Sequence, residues 1–144
     1  MEDRHLCKAR PIGTRKQWVT GFYAVLGEKT VIIVNEPEKF YDVDSGKNSH
    51  GNKIVEVRPK TVCQCTGLKD KNGKLIWEND ILSGHIDDEF PEDETRKRVV
   101  WHENGWCTNE PGCDDYEALD DFDSENFEVI GNMIDNPELL EVRL

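Results

Sequence analysis

Short apolar runs alternate with polar, turn-forming segments along most of the chain. The runs are rich in aromatic and β-branched residues, and Pro, Gly, Asn and Asp separate them at short intervals, which is typical of an all-β chain. The polar stretch at 35–52 is predicted to be a loop. Strands are predicted at residues 15–26, 30–34, 53–57, 61–65, 75–77, 81–86 and 127–133.

The strongest local prediction is a tight hairpin at residues 99–108. This segment reads VVWHENGWCT, in which an Asn-Gly pair separates two runs of aromatic and β-branched residues. We expect Asn104 and Gly105 to be the two central residues of the turn. Counting outward from them, His102 pairs with Cys107 across the two strands.

Two short helical segments are predicted in the last third of the chain. Residues 114–122 place their apolar residues on one helical face, with Asp114 or Asp115 as the N-cap. Asn136-Pro137, followed by Glu-Leu-Leu, predicts a single C-terminal turn, because Pro is favoured at the first helical position.

The formal net charge of −12 is unevenly distributed. Residues 1–65 contain 11 Lys and Arg against 8 Asp and Glu, whereas residues 66–144 contain 7 against 22. Nucleic-acid binding depends on neutralising phosphates with Lys and Arg, so the second half is excluded as a non-specific nucleic-acid binder. Three interpretations of the acids stay open: a solubilising surface, a contact for a basic partner, or a mimic of a phosphate array.

Length and cysteine usage favour a protein of the cytoplasm. The 144 residues suffice to bury a core without disulfides or metal. The N-terminus is charged without a secretory signal, and no apolar run approaches the roughly 18 residues needed to cross a bilayer. An odd number of cysteines fits a compartment that keeps thiols reduced. The cysteines are Cys7, Cys63, Cys65, Cys107 and Cys113.

No catalytic, cofactor or metal site is predicted. The cysteines lack the C-x₂₋₄-C spacing of zinc knuckles, so we expect them to be small buried hydrophobes. The acidic run at 114–123 lacks the residue order of a calcium-binding loop. One weak exception is the pair of His102 and Cys107, because a histidine within hydrogen-bond reach activates a thiolate.

Two segments carry a resemblance to a known family. Residues 66–82 read TGLKDKNGKLIWENDIL, and residues 127–141 read FEVIGNMIDNPELLE. Together with looser matches at 8–10 and 18–21, they resemble the YopX-like family of small phage and prophage proteins. Asn79 stands where that family usually has Gly, which should be harmless because Asn also tolerates the left-handed region. The turn residues of the matching motifs are Gly67, Asp70, Asn72, Gly73, Asp80 and Gly131.

The resemblance implies a fold and an origin but no established activity. We expect a mainly β protein with an N-terminal β segment at 1–60 and a small SH3-like β-barrel region at 61–144, including one or two short helical turns. The resemblance also implies a phage or prophage origin and self-association. SH3-like barrels serve peptide, RNA and structural roles, so the fold alone assigns no function.

The four tryptophans are the best candidates for contact residues, since aromatic side chains often anchor protein interfaces. We expect Trp18 and Trp101 to lie in the core, and we select Trp106 and Trp77 as candidate partner contacts. The predicted function is a non-enzymatic protein-interaction or self-assembly module in the host cytoplasm, a homo-oligomer or a binder of a host protein. The alternative is an acidic decoy that occupies a host DNA-binding protein.

Overall fold

The computed structural model describes residues 3–13, 17–42, 47–87, 89–90 and 92–141, without the side chains of 35–52. The chain divides into an N-terminal unit, His5–Gln64, and a C-terminal unit that begins at Cys65 and includes the residues before His5. The elements are β1 (Cys7–Ala9), β2 (Val19–Leu26), β3 (Lys29–Asp42), β4 (Lys47–Glu56), β5 (Cys63–Lys69), β6 (Leu75–Trp77), β7 (Asp80–Gly84), β8 (Thr95–His102), β9 (Gly105–Asn109), β10 (Glu117–Ala118), α1 (Asp121–Asn126), β11 (Phe127–Asn132) and 3₁₀ turns at Asp3–His5, Pro59–Thr61 and Pro137–Leu140.

The prediction of a mainly β protein is confirmed. The strands form two antiparallel sheets, and neither sheet closes on itself in the described part of the chain. None of the described helices is long and apolar enough to cross a bilayer.

The N-terminal unit is a sheet in the order β4-β3-β2-β1, and β1 also pairs with the first two residues of β5. Its core contains Ala9, Ile32 and Val57, which are fully or almost fully buried. Partly buried residues pack against this core, namely Cys7, Val19, Val55 and Val62.

The predicted loop at 35–52 is wrong for most of its length. Strand β3 continues to Asp42 and β4 begins at Lys47, so the two strands form one long antiparallel pair. Register shifts between Val34 and Glu38, and Pro37 lies in that irregular stretch, where its missing N–H interrupts no ladder hydrogen bond. Polar composition misled the prediction because strand pairing uses backbone groups, which polar residues also carry. The predicted turn residues at 44–46, and residues 15 and 16 of the first predicted strand, lie outside the described residues.

The C-terminal unit contains a five-stranded sheet in the order β10-β9-β8-β7-β11, and in the same unit the end of β5 pairs with β6. Every residue of β7 is buried, because this strand lies between two neighbours and has packed groups on both faces. The core of the unit consists of Ile76, Leu82, Val99, Leu119 and Phe127, against which Leu68, Trp106 and Val129 pack.

The predicted helix at 114–122 is wrong in position. Residues 117–118 form β10 instead, and Leu119 N–H donates to the Trp106 carbonyl at 3.0 Å, which draws Leu119 into the core. The helix begins after Asp120, whose carboxylate accepts from the amide of Asp123 while the Asp123 carboxylate accepts from the amide of Asp120. This reciprocal capping box fixes the start of α1 at Asp121. The predicted C-terminal turn is present at Pro137–Leu140.

Candidate functional site

The two segments that carry the family motifs lie side by side. Strand β11 pairs with β7 from Phe127, opposite Gly84, to Asn132, opposite Asp80. The loops of the first motif add backbone hydrogen bonds to the second: Lys71 to Phe127 (3.0 Å) and Met133 to Asn79 (2.8 Å). The motif residues therefore belong to one structural assembly although they are far apart in sequence.

Asp70 joins these two segments through its carboxylate. The side chain is 5% exposed. Its Oδ1 accepts from the amides of Asn72 and Lys74, each at 2.9 Å, and its Oδ2 accepts from the amide of Val129 at 2.9 Å. Burial alone would raise the pKa of Asp70, but the three amides and the charge of Lys74 more than offset it, so the pKa lies below its ordinary value. Asn72 adds a hydrogen bond from its side chain to Glu128 at 3.2 Å.

The next two residues of the first motif, Asn79 and Asp80, lie where the turn between β6 and β7 leads into β7. Asn79 has φ of 71°, which explains why Asn can stand where the family has Gly. Its amide donates to the Val99 carbonyl at 2.8 Å. Asp80, 2% exposed, accepts from the amide of Trp77 at 2.8 Å.

The motif glycines meet steric requirements. Gly67 and Gly73 have φ of 84° and 82°, which disfavour residues with a Cβ. A Cβ on Gly131 would lie 2.7 Å from Asn136 Oδ1 and 2.8 Å from Leu139 Cδ1, so a larger residue would force these side chains of the C-terminal turn to move. The structure thus gives each predicted motif residue a part in turns and packing.

The exposure of the tryptophans differs from the sequence prediction. Trp77 is 8% exposed and therefore too buried to serve as a contact. Trp101, expected in the core, is 53% exposed. Trp106 is partly buried against the core of the C-terminal unit, and its ring meets that of Trp101 edge to face, with centroids 5.1 Å apart. Trp18 is partly buried, with Lys8 and Arg10 over its ring.

A different turn in the predicted hairpin explains the exposure of Trp101. The hairpin is present, but the two turn residues are Glu103 and Asn104, one position earlier than predicted. Glu103 takes the positive φ of 56°. Trp101 consequently pairs with Trp106, and Val99 pairs with Thr108, both of them buried. Core packing selects the register, because a slip of one residue would turn these inward side chains to the other face.

The same register separates the candidate thiol pair. His102 pairs with Gly105, and Cys107 pairs with Val100. His102 stacks on Tyr116 with ring centroids 3.8 Å apart, whereas the Cys107 thiol donates to the Gly105 carbonyl at 3.7 Å. The predicted cross-strand pair of His102 and Cys107 is therefore wrong, because the turn lies one residue earlier.

The cysteines are divided between core and surface. Cys63 and Cys65 are buried, as expected for small hydrophobes, whereas Cys7 and Cys107 are partly exposed and Cys113 is exposed. Within the part of the chain that the structure describes, no group of three or more His, Cys, Asp or Glu side chains could hold a metal ion.

The sequence contains two acidic stretches, 87–94 and 110–125, and one glutamate from each lies at the same place. Glu94, Glu110 and Glu141 line an open depression of about 500 Å³, which we call the acidic depression. Arg96 also lines it, but its guanidinium is paired with Glu94 and donates to the Leu139 carbonyl at 3.1 Å. Of the first acidic segment, Asp88 and Pro91 lie outside the described residues.

One buried ion pair was missed by sequence analysis. Lys97 and Asp123 are paired inside the C-terminal unit, with side chains 8% and 4% exposed, and the Lys97 ammonium lies 4.2 Å from the centre of the Phe127 ring. The sequence contained a signal for this burial, because alternate residues of a strand face the same side of the sheet. Lys97 therefore shares a face with the apolar Val99 and must face the core.

Comparisons with known proteins agree with this architecture. The family model described as YopX protein matches residues 25–141. The chain is also similar to the crystal structure of protein EF1440 from Enterococcus faecalis, with 22% sequence identity and a TM-score of 0.51. That similarity covers 94% of this chain and 96% of the other, and at such identity it concerns the fold alone. No curated protein gives a significant match.

Proposed function

This chain belongs to the YopX protein family, and we propose that it is a non-enzymatic protein-interaction module whose contact is the tryptophan pair, Trp101 and Trp106. The proposal includes a phage or prophage origin and action in the host cytoplasm. The observation that carries it concerns Trp101, which is 53% exposed. Its ring is held in place by an edge-to-face contact with the partly buried ring of Trp106. A large exposed aromatic ring with a fixed orientation is typical of interface hot spots.

Rigidity supports this assignment. Trp106 packs against the core of the C-terminal unit, and its carbonyl accepts from the amide of Leu119. The edge-to-face contact with Trp106 then holds Trp101. The two residues face each other one pair away from the two-residue turn, at the end of the hairpin. A preorganised aromatic group loses little conformational entropy on binding, so more of its buried area contributes to affinity.

We propose a second copy of the chain as the first partner to test. Sedimentation velocity across micromolar concentrations would compare the wild type with Trp101→Ala. The control is Tyr23→Ala, an aromatic residue of similar exposure (51%) in the N-terminal unit. We expect Trp101→Ala to weaken self-association about 30-fold, as for a hot spot of about 2 kcal/mol, and Tyr23→Ala to leave it unchanged.

If the wild type sediments as a monomer, the same proteins serve as baits in host lysate. A host protein retained by the wild type and the control but lost from Trp101→Ala supports the proposal. Equal retention by all three proteins, or equal self-association, contradicts the role of the tryptophan pair.

We further propose that the C-terminal unit is an open variant of an SH3-like barrel. The support is its strand order, in which β7, β8, β9 and β10 follow one another and β11 returns to the other side of β7. A high-resolution crystal structure would test whether the end of β5 and β6 complete the barrel.

A second candidate function is the acidic decoy, which the acidic depression favours because Glu94 and Glu110 come from separate acidic segments. A decoy binds its target through charge, so its affinity should fall steeply with added salt and duplex DNA should compete with it. Binding through the tryptophan pair should depend little on salt. A salt titration of any captured complex therefore distinguishes the two proposals.

A further inference from the structure

Three consecutive basic residues in β8 have different surroundings. Arg96 is paired with Glu94 and bonded to the Leu139 carbonyl, and Lys97 is paired with Asp123. The side chain of Arg98 has no hydrogen bond or ion pair to any described residue, although the residue is partly buried. Partial burial of an unpaired guanidinium is costly, and none of the described acidic residues serves as its partner, although residues 66–144 contain 22 Asp and Glu in all.

Arg98 lines a cavity of about 270 Å³, which we call the Arg98 cavity. Its wall includes Met133, Leu140 and Pro111, and none of the described residues that line it has a carboxylate side chain. Asn109 also lines it; its Nδ2 donates to the carbonyls of Cys113 and Asp115, each at 2.9 Å, so its oxygen is the remaining polar atom of that amide.

These features specify one kind of group. An arginine pairs best with a carboxylate, to which its guanidinium can donate two parallel hydrogen bonds. The apolar wall suits a short aliphatic side chain, and the oxygen of Asn109 can accept an N–H from a peptide. The volume lies just below the usual range for whole ligands, about 300 Å³ and upward, so it fits a chain end rather than a cofactor.

The acidic depression adjoins this cavity, since Pro111 and Leu140 line both. Its residues Glu110 and Glu141 would repel a wholly anionic ligand. A cation placed next to the carboxylate would be attracted instead. The two neighbouring sites therefore favour a ligand with a positive group close to its carboxylate.

We propose that the Arg98 cavity binds the terminal carboxylate of a peptide whose last side chain is aliphatic and whose preceding side chain is basic. The carboxylate pairs with Arg98, the last side chain contacts Met133 and Leu140, and the basic side chain lies over the acidic depression. This site is separate from the tryptophan pair and does not depend on it.

The test is an NMR titration of the full chain with the dipeptide acetyl-Lys-Leu, which has a free carboxylate. We expect saturable shift changes at millimolar concentrations and a loss of affinity of roughly tenfold or more in Arg98→Gln, the usual effect of removing a charged hydrogen-bond donor. Arg58→Gln removes the same charge from an exposed residue of the N-terminal unit and should bind like the wild type. Arg98→Lys, which retains the charge without the bidentate geometry, should be intermediate.

Two further ligands separate the parts of the proposal. Acetyl-Lys-Leu-amide lacks the terminal charge and should not bind. Acetyl-Glu-Leu retains the carboxylate but places an acid over the acidic depression, so it should bind more weakly. Absence of binding by the wild type, equal binding by Arg98→Gln, or equal binding of the amide would overturn the site. Equal affinity for acetyl-Glu-Leu would overturn the preference for a basic side chain. If Arg98→Gln fails to fold, the comparison rests on Arg98→Lys.

Discussion

The ammonium group of Lys97 and the carboxylate of Asp123 form an ion pair inside the C-terminal unit, where both side chains are more than nine-tenths buried. Lys97 belongs to β8, and Asp123 closes the capping box of α1. The Phe127 ring lies against the same ammonium at the first residue of β11. This pair thus joins a strand, a helix start and the strand that follows the helix.

We predict that the contributions of Lys97 and Asp123 to the free energy of unfolding are strongly coupled. Lys97→Met leaves a buried carboxylate without its partner and should lower the free energy of unfolding by about 3–5 kcal/mol, as should Asp123→Asn, which also weakens the capping box. The double variant should cost clearly less than the sum of the two. Urea unfolding of the four proteins gives the coupling energy, and additive losses would contradict the pair as described.

Asp70 should make stability depend on pH in the acidic range. Its pKa in the folded protein is lowered from the ordinary value of 3.8, so the folded state binds fewer protons than the unfolded state in that window. The stabilisation is therefore fully present above pH about 4 and is lost as pH falls through the lowered pKa. Asp70→Asn should destabilise the protein by about 1–3 kcal/mol at neutral pH, and the difference from the wild type should shrink in acid.

The control for this experiment is Glu92→Gln, an exposed acid in the loop before β8. Urea unfolding from neutral pH to pH about 3 should show a pH-dependent difference for Asp70→Asn and none of note for Glu92→Gln. If the free energies of unfolding of the wild type and Asp70→Asn differ by the same amount at every pH, the charge of Asp70 does not contribute to stability.

The turn at Glu103 offers a stabilising substitution. Glu103 has φ of 56°, which Asn tolerates better than Glu does. Glu103→Asn should therefore raise the free energy of unfolding by roughly 0.5–1 kcal/mol, and Glu103→Val, with its branched Cβ, should lower it. Thermal unfolding measures both. If the turn were centred on Asn104 and Gly105, neither substitution would have an effect of that sign and size.

That turn also shows what the sequence could and could not predict. The Asn-Gly pair correctly indicated a hairpin, because such residues favour tight turns. The register depends on which side chains are buried, and the burial of Val99 and Thr108 is a property of the assembled sheet. Local turn chemistry favoured one register, and the core selected another.

The candidate sites show the same limit. Turn residues such as Asp70 and Gly131 were recognisable from the motifs, but their partners, Val129 and the C-terminal turn, follow from a strand pairing that no local pattern contains. The exposure of Trp101 and the isolation of Arg98 likewise depend on neighbours distant in sequence. Two expectations stay predictions. One is the division of the chain between residues 60 and 61, and the other is the role of Trp106 as a contact residue.

The position of β7 between β8 and β11 has a consequence for synthesis on the ribosome. Strand β7 is buried throughout, yet the partner on one of its sides is the last strand of the sheet to be made. Until residues 127–132 emerge, the nascent chain presents an apolar strand with an unpaired edge, the kind of surface that joins other chains. A message truncated before Phe127 therefore yields an aggregation-prone fragment, and the C-terminal unit becomes safe for the cell only after β11 has emerged and paired with β7.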